Sequence, residues 1–210
     1  LLGTPRQFRL YTSGLAFAED GRVAVGEYDP KTGRVGLLLS RLFEGFNGPT
    51  PGVAPFLHEL GHMLDYFDAA RGVASRHGSG FLPGMRPEDG DLYTPEARAL
   101  FVQGKRLELE RYLRLWHGRG TPSTPLPIGS PYVFQNDSEF LAGYLELFFR
   151  NPHYFAAQNP DLYQAFVSLF RQDPRRSWVE DFPFYVEENR DFYLRAPRRP
   201  PPPGLFLPAA

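Results

Sequence analysis

One pentapeptide, His58-Glu59-Leu60-Gly61-His62, restricts what this chain can fold into more than any other stretch. Two histidines four residues apart share a face on a helix, where side chains at i and i+4 lie one above the other. There both imidazoles can reach one Zn²⁺, and Glu59 beside them is placed to take a proton from a water that the metal activates. The residues around position 58 must then be helical, and they need a third ligand from elsewhere in the chain. A zinc-dependent peptidase is the expectation that follows.

The third ligand has three possible sources. Asp68 lies six residues past His62, where some zinc peptidases place a ligand after a helix-breaking Gly. Position 65 is Asp65, so the helix is expected to continue, and about 100° per residue then carries Asp68 off the His58 face. Met85, in Gly84-Met85-Arg86, lacks the neighbours of a Met-turn. His77, His117 and His153 are the other histidines. His117 suits a helix C-terminus, where a cation is favoured without any metal.

The last source is an acid on a downstream helix. Glu139 follows the capping cluster Asn136-Asp137-Ser138, where, taken alone, it reads as an ordinary first-turn acid or a capping partner of Asn136. Glu146, seven residues on, lies amid Phe140, Leu141, Tyr144, Leu145, Leu147 and Phe148. On a helix this apolar it is a second candidate, as ligand or as partner to a ligand.

Composition excludes several classes. A net charge of −1 gives no electrostatic case for nucleic acid or an anionic membrane. With no Cys there is no thiolate metal site, catalytic thiol or disulfide. No apolar run approaches the roughly 20 residues of a membrane span. The start at Leu1-Leu2-Gly3, without Met, reads as the mature part of an exported protein, secreted or extracytoplasmic.

Periodicity predicts an α+β chain. Residues Phe8 to about Leu42 read as strand, with Arg22–Tyr28 and Gly33–Leu39 forming a hairpin around Asp29-Pro30-Lys31-Thr32. An edge strand here would suit an extended peptide. Residues 45–52 read as loop, and the His58 helix as running from Val53 to Ala70 with Gly72 as its stop. Gly61 on that helix leaves room for a neighbouring element. Thr94-Pro95-Glu96 opens a helix to His117; others are expected over Ser138–Arg150 and Pro160–Gln172, with a short aromatic one in 177–195. Residues 1–196 make one catalytic domain, β-rich to about 45 and mainly helical from 46, with the His58 helix between the two parts. Residues 197–210, with Pro200 to Pro203, are a tail expected to favour polyproline II and not to pack.

The pair His58-Glu59-Leu60-Gly61-His62-Met63-Leu64-Asp65-Tyr66 and Tyr132-Val133-Phe134-Gln135-Asn136-Asp137-Ser138-Glu139-Phe140 resembles the catalytic domain of anthrax lethal factor and the related Pro-Pro endopeptidases. That family joins H-E-[FL]-G-H-x-x-D to a Tyr seven residues before a Glu in N-x-x-E-F. The resemblance implies a zincin-like fold of the gluzincin type: one catalytic zinc on His58, His62 and Glu139, Glu59 as general base, and Tyr132 as donor to the oxyanion. It also implies extended, proline-containing peptide substrates, and we expect a monomer. A zinc-binding toxin or interaction module without turnover, and a zinc hydrolase of non-peptide substrates, are the alternative readings. The sequence departs from the family at Gly143, where another acid often stands to hold a ligand His, and in the 77 positions between His62 and Glu139. Asp65 and Glu146 are the candidates to hold the histidines in its place. The proline-rich tail is a candidate to lie in the cleft, and otherwise a linker.

Overall fold

The computed structural model describes residues 7–19, 26–47, 54–68, 71–89, 94–119, 123–181, 192–194 and 200–207. As expected, the architecture is α+β. Strands β1 (Gln7–Tyr11), β2 (Gly26–Asp29) and β3 (Arg34–Leu38) form a sheet in the order β1-β3-β2. Buried Val35 and Leu37 place β3 at its centre, parallel to β1 and antiparallel to β2. The predicted hairpin forms. The Asp29 carboxylate accepts from Lys31 N at 2.9 Å and Thr32 Oγ1 at 2.8 Å, and Gly33 takes the positive φ of 66° that the turn requires. Residues 22–25 of its expected first strand lie outside the described residues.

Two helices interrupt the region read as strand, α1 (Gly14–Glu19) and α2 (Leu39–Asn47). The Ser13 hydroxyl accepts from Ala16 N at 3.2 Å to open the first. Leu39, Leu42, Phe43 and Phe46 recur at helical spacing in the second, which thereby consumes the start of the expected loop.

Helix α3 (Pro55–Asp65) carries the histidines, with Pro55 at its first turn. It stops at Asp65, short of Ala70. Phe67–Asp68 (β4) turns back onto Val73–Ala74 (β5), and the Asp68 side chain accepts from Arg71 N at 3.1 Å within the turn. Gly72, at φ 66°, serves this turn and not a helix end. Local Asx hydrogen bonding outcompetes the helix here.

The helical part follows its caps. Thr94 accepts from Ala97 N ahead of α4 (Pro95–Trp116), and Asn136 from Glu139 N at 2.9 Å ahead of α5 (Asp137–Arg150). Pro152, expected only to end α5, also opens α6 (Pro152–Gln158), since proline is tolerated at a first helical position. Asn159 caps α7 (Pro160–Phe170), which closes on Arg171 in the left-handed conformation. Phe101, Phe134, Phe140, Tyr144, Phe148, Phe155 and Phe166 lie almost fully buried between these helices. Their ring contacts, such as Phe140 on Tyr144 at 4.1 Å, each add about 0.5–1.5 kcal/mol beyond burial. Met85, set aside as a Met-turn, belongs to this core. The tail is a correction: residues 200–207 dock on the domain through hydrogen bonds.

What positions the site is the crossing of α3 on α5. A Cβ at Gly61 would lie 2.7 Å from Ala142 Cα and 3.1 Å from its Cβ, so the two backbones touch there. Gly61→Ala should push them apart. The expected cost is about 1–3 kcal/mol of stability, as for other overpacked sites, read from the denaturant midpoint and accompanied by weaker metal binding.

Candidate metal centre

Helix α3 presents His58 and His62 on one face, their rings edge to face with centroids 4.7 Å apart. The first turn of α5 presents Glu139 to both. Glu139 Oε2 lies 2.9 Å from His58 Nε2 and 3.5 Å from His62 Nε2, and one donor atom from each residue falls within 4.8 Å of the others. A tetrahedrally held ion with bonds of about 2.1 Å separates its ligand atoms by roughly 3.4 Å. Two imidazoles and a carboxylate at this spacing fit one metal ion.

The other nitrogens of the histidines are also occupied. Glu146 Oε2 lies 3.5 Å from His58 Nδ1, while its Oε1 accepts from Ala54 N at the start of α3. His62 Nδ1 lies 3.0 Å from Ser138 Oγ. Such contacts fix ring orientation and tautomer in metal sites. Of the two acids expected to do this, the structure brings Glu146 into the site. The hydrogen bonds to Asp65 serve another purpose: its Oδ1 accepts from Ser79 N at 2.9 Å and Phe81 N at 3.1 Å, tying the following loop to the helix.

Sequence reasoning missed Ser138, which looked like a capping residue; only its adjacency to Glu139 hinted otherwise. It also missed Gly143's purpose. A Cβ there would overlap Val133 Cγ1, so glycine lets the single 3-10 turn Pro131–Phe134 seat on α5. Gly129 admits the same valine from the other side, a Cβ there lying 2.7 Å from Val133 Cγ2.

That turn carries Tyr132, half exposed, its ring 6.1 Å from that of His58. Burial, and then the negative charge of Glu139, push its phenol up to about 12, so it stays a proton donor at neutral pH. Glu59 is buried on the sheet side of α3, where a Cβ at Gly26 of β2 would lie 2.9 Å from its Oε1. Its pKa is raised by burial, against the opposing pull of His58 and His62. Asp68 and the remaining histidines stand elsewhere. Asp68 pairs with Arg71, His117 caps α4, His153 Nε2 lies 2.9 Å from Trp178 O, and His77 N donates to Ser75 Oγ. Asp68 is thus set aside because α3 ends before it, not because α3 carries it round.

Residues 108–171, under a third of the chain, match the model of the glucose-regulated metallo-peptidase M90 family. Comparison with curated proteins and with solved structures returns no match. The matched segment contains Tyr132, Glu139 and Glu146 but not the His58–His62 helix, so it and the histidine pair are separate observations. Together they support a metallopeptidase, with a metal ion at the cluster and a peptide or protein as substrate. No described helix is long and apolar enough to cross a membrane.

The charge balance at the cluster makes metal uptake a proton exchange. Burial alone would lower His58, but its contacts with Glu139 and Glu146 prevail and push it up to about 10. Contacts with His58 and His62 in turn hold Glu139 well below the usual carboxylate range against the effect of burial. At pH 7, below the His58 pKa, the imidazole is protonated, and only its neutral form ligates metal. Metal binding should release about one proton and tighten about tenfold per pH unit up to that pKa. Calorimetry in buffers of different ionisation enthalpy measures the release.

Proposed function

We propose that the chain is a zinc metalloendopeptidase of the gluzincin type, with His58, His62 and Glu139 as zinc ligands. The convergence of these three donors from two helices, with a buried acid on one side and a half-exposed phenol on the other, carries this reading. The bound metal would supply Lewis-acid polarisation of the scissile carbonyl and acidify a water.

The chain's own groups do the rest. Glu59, raised by burial and directly beside His58, accepts a proton from the attacking water and returns it to the leaving amine. Tyr132 donates its phenolic hydrogen where negative charge develops on the carbonyl oxygen. Glu146 and Ser138 hold the histidine rings. A catalytically silent module of the same fold would have no use for a buried acid at position 59.

The substrate is an extended peptide. Among the described residues β2 lies at an edge of the sheet, and the Tyr28 backbone hydrogen-bonds the Glu59 carboxylate, so a peptide paired to this edge would run past the site. The resemblance to Pro-Pro endopeptidases supports cleavage within proline-containing segments.

Glu59→Gln should retain stoichiometric zinc and lose about 10²–10⁴-fold in kcat. Tyr132→Phe should lose about 10²–10³-fold in kcat with KM and zinc little changed. A Glu59→Gln chain that keeps both zinc and full turnover would falsify the mechanism. Profiling wild type on a peptide library tests the substrate; cleavage with no preference near proline removes that part.

A further inference from the structure

The C-terminal stretch contacts the segment that carries Tyr132 and leads into Glu139. Tyr193 donates its hydroxyl to Gly129 O at 2.7 Å, three residues before Tyr132. Gly204 N donates to Phe134 O at 2.9 Å, two residues after it. Phe206 N donates to Asp137 Oδ1 at 2.9 Å, on the first residue of α5. Tyr112, stacked on Phe134 with centroids 4.1 Å apart, donates its hydroxyl to Pro201 O at 2.8 Å.

The composition of this stretch matches the job. Pro200 to Pro203 have no N–H to leave unsatisfied, and a polyproline run is stiff before it docks, so little conformational entropy remains to be lost. The first N–H after the run is Gly204's, and it is used at once. Gly204 itself is required by contact, since a Cβ there would overlap Gln135 O. Leu205 packs on the aromatic core. Asp137 Oδ1 is also held by Lys105 Nζ at 2.7 Å, a fully buried amine, so the tail hydrogen bond ends on an anchored carboxylate.

We propose that residues 200–207 are a strap that positions Tyr132 and the Glu139 turn, resting on the peptidase reading above. These contacts run along the backbone flanking Tyr132, and the strap raises turnover rather than blocking the cleft. Gly204, Phe206 and Tyr112 are positioning residues.

The test uses two point variants of the full chain, Gly204→Ala, which drives a Cβ into Gln135 O, and Phe206→Pro, which deletes one donor. Hydrogen exchange of the 129–137 amides should accelerate in both while the α4 and α7 amides keep their protection. The kcat on a peptide substrate should fall about 10- to 100-fold, as for other displaced catalytic groups, with KM little moved. In a Tyr132→Phe background the same substitutions should cost only a small part of that factor, since the group they position is already gone. Unchanged exchange at 129–137, increased turnover, or the same loss with and without the Tyr132 hydroxyl would each overturn the strap. A wild-type chain that takes up zinc and cleaves no peptide would count against the peptidase reading instead, and the exchange comparison, which needs no turnover, then decides the strap alone.

Discussion

The site depends on one contact, the crossing of two helices at Gly61 and Ala142. The histidines belong to α3 and the acids Glu139 and Glu146 to α5, so no metal cluster exists until these backbones meet. Side chains would normally keep helix axes about 8–10 Å apart. Glycine at position 61 and alanine at 142 let them approach further, and imidazole and carboxylate then converge on distances of 2.9 and 3.5 Å. The crossing is also braced from inside the site. Glu146 accepts from Ala54 N at the beginning of α3 and faces His58 with its other oxygen, so a single carboxylate both caps one helix and orients its ligand. The interactions that define the centre thus join α5 to α3 and to Ala54 just before it.

What was legible in the sequence follows from local physics. The spacing of His58 and His62, the Thr94-Pro95 and Asn136 caps, and the Asp29–Gly33 turn each act over a few residues, and each is found where the pattern put it. Where the reading failed, a competing local rule or a long-range contact decided. Asx bonding by Asp68 ended α3 early, helical spacing overrode the apolar run at Leu39, and Pro152 both ended one helix and began another. The docking of residues 200–207 could not be read locally at all, since it depends on carbonyl and carboxylate groups about 70 residues upstream. Ser138 belongs to the same class: nothing in its neighbourhood says that His62 lies against it.

Gly143 is instructive because its sequence meaning and its structural meaning differ. Read against the family pattern it is a missing acid. In the fold it is the space that Val133 fills, with Gly129 opposite, and Val133 is the neighbour of Tyr132 in the chain. An acid here would clash with the turn that carries the phenol. The two demands, holding His58 and seating Tyr132, are met separately: Glu146 takes the first, one helical turn further along α5, and the glycine pair takes the second. Buried Glu108 supports the same arrangement from behind, accepting from Ile128 N at 2.8 Å and from Tyr144 at 2.5 Å, which fixes the chain where it enters the turn.

The two faces of the centre are built differently. On the Glu59 side, strand β2 closes against the acid through Gly26, and the burial that this distant strand provides raises its pKa. On the Tyr132 side, a short 3-10 turn lies on the surface between a loop and a helix cap, a geometry with few hydrogen bonds of its own. Its placement is borrowed from Val133 packing, from Glu108 and from the C-terminal stretch. In the proposed mechanism, a donor aimed at developing charge loses much of its effect when displaced by an ångström. Both groups of the proposed mechanism therefore depend on distant parts of the chain, the acid on the β2 strand that covers it and the phenol on the contacts that the C-terminal stretch makes with its turn.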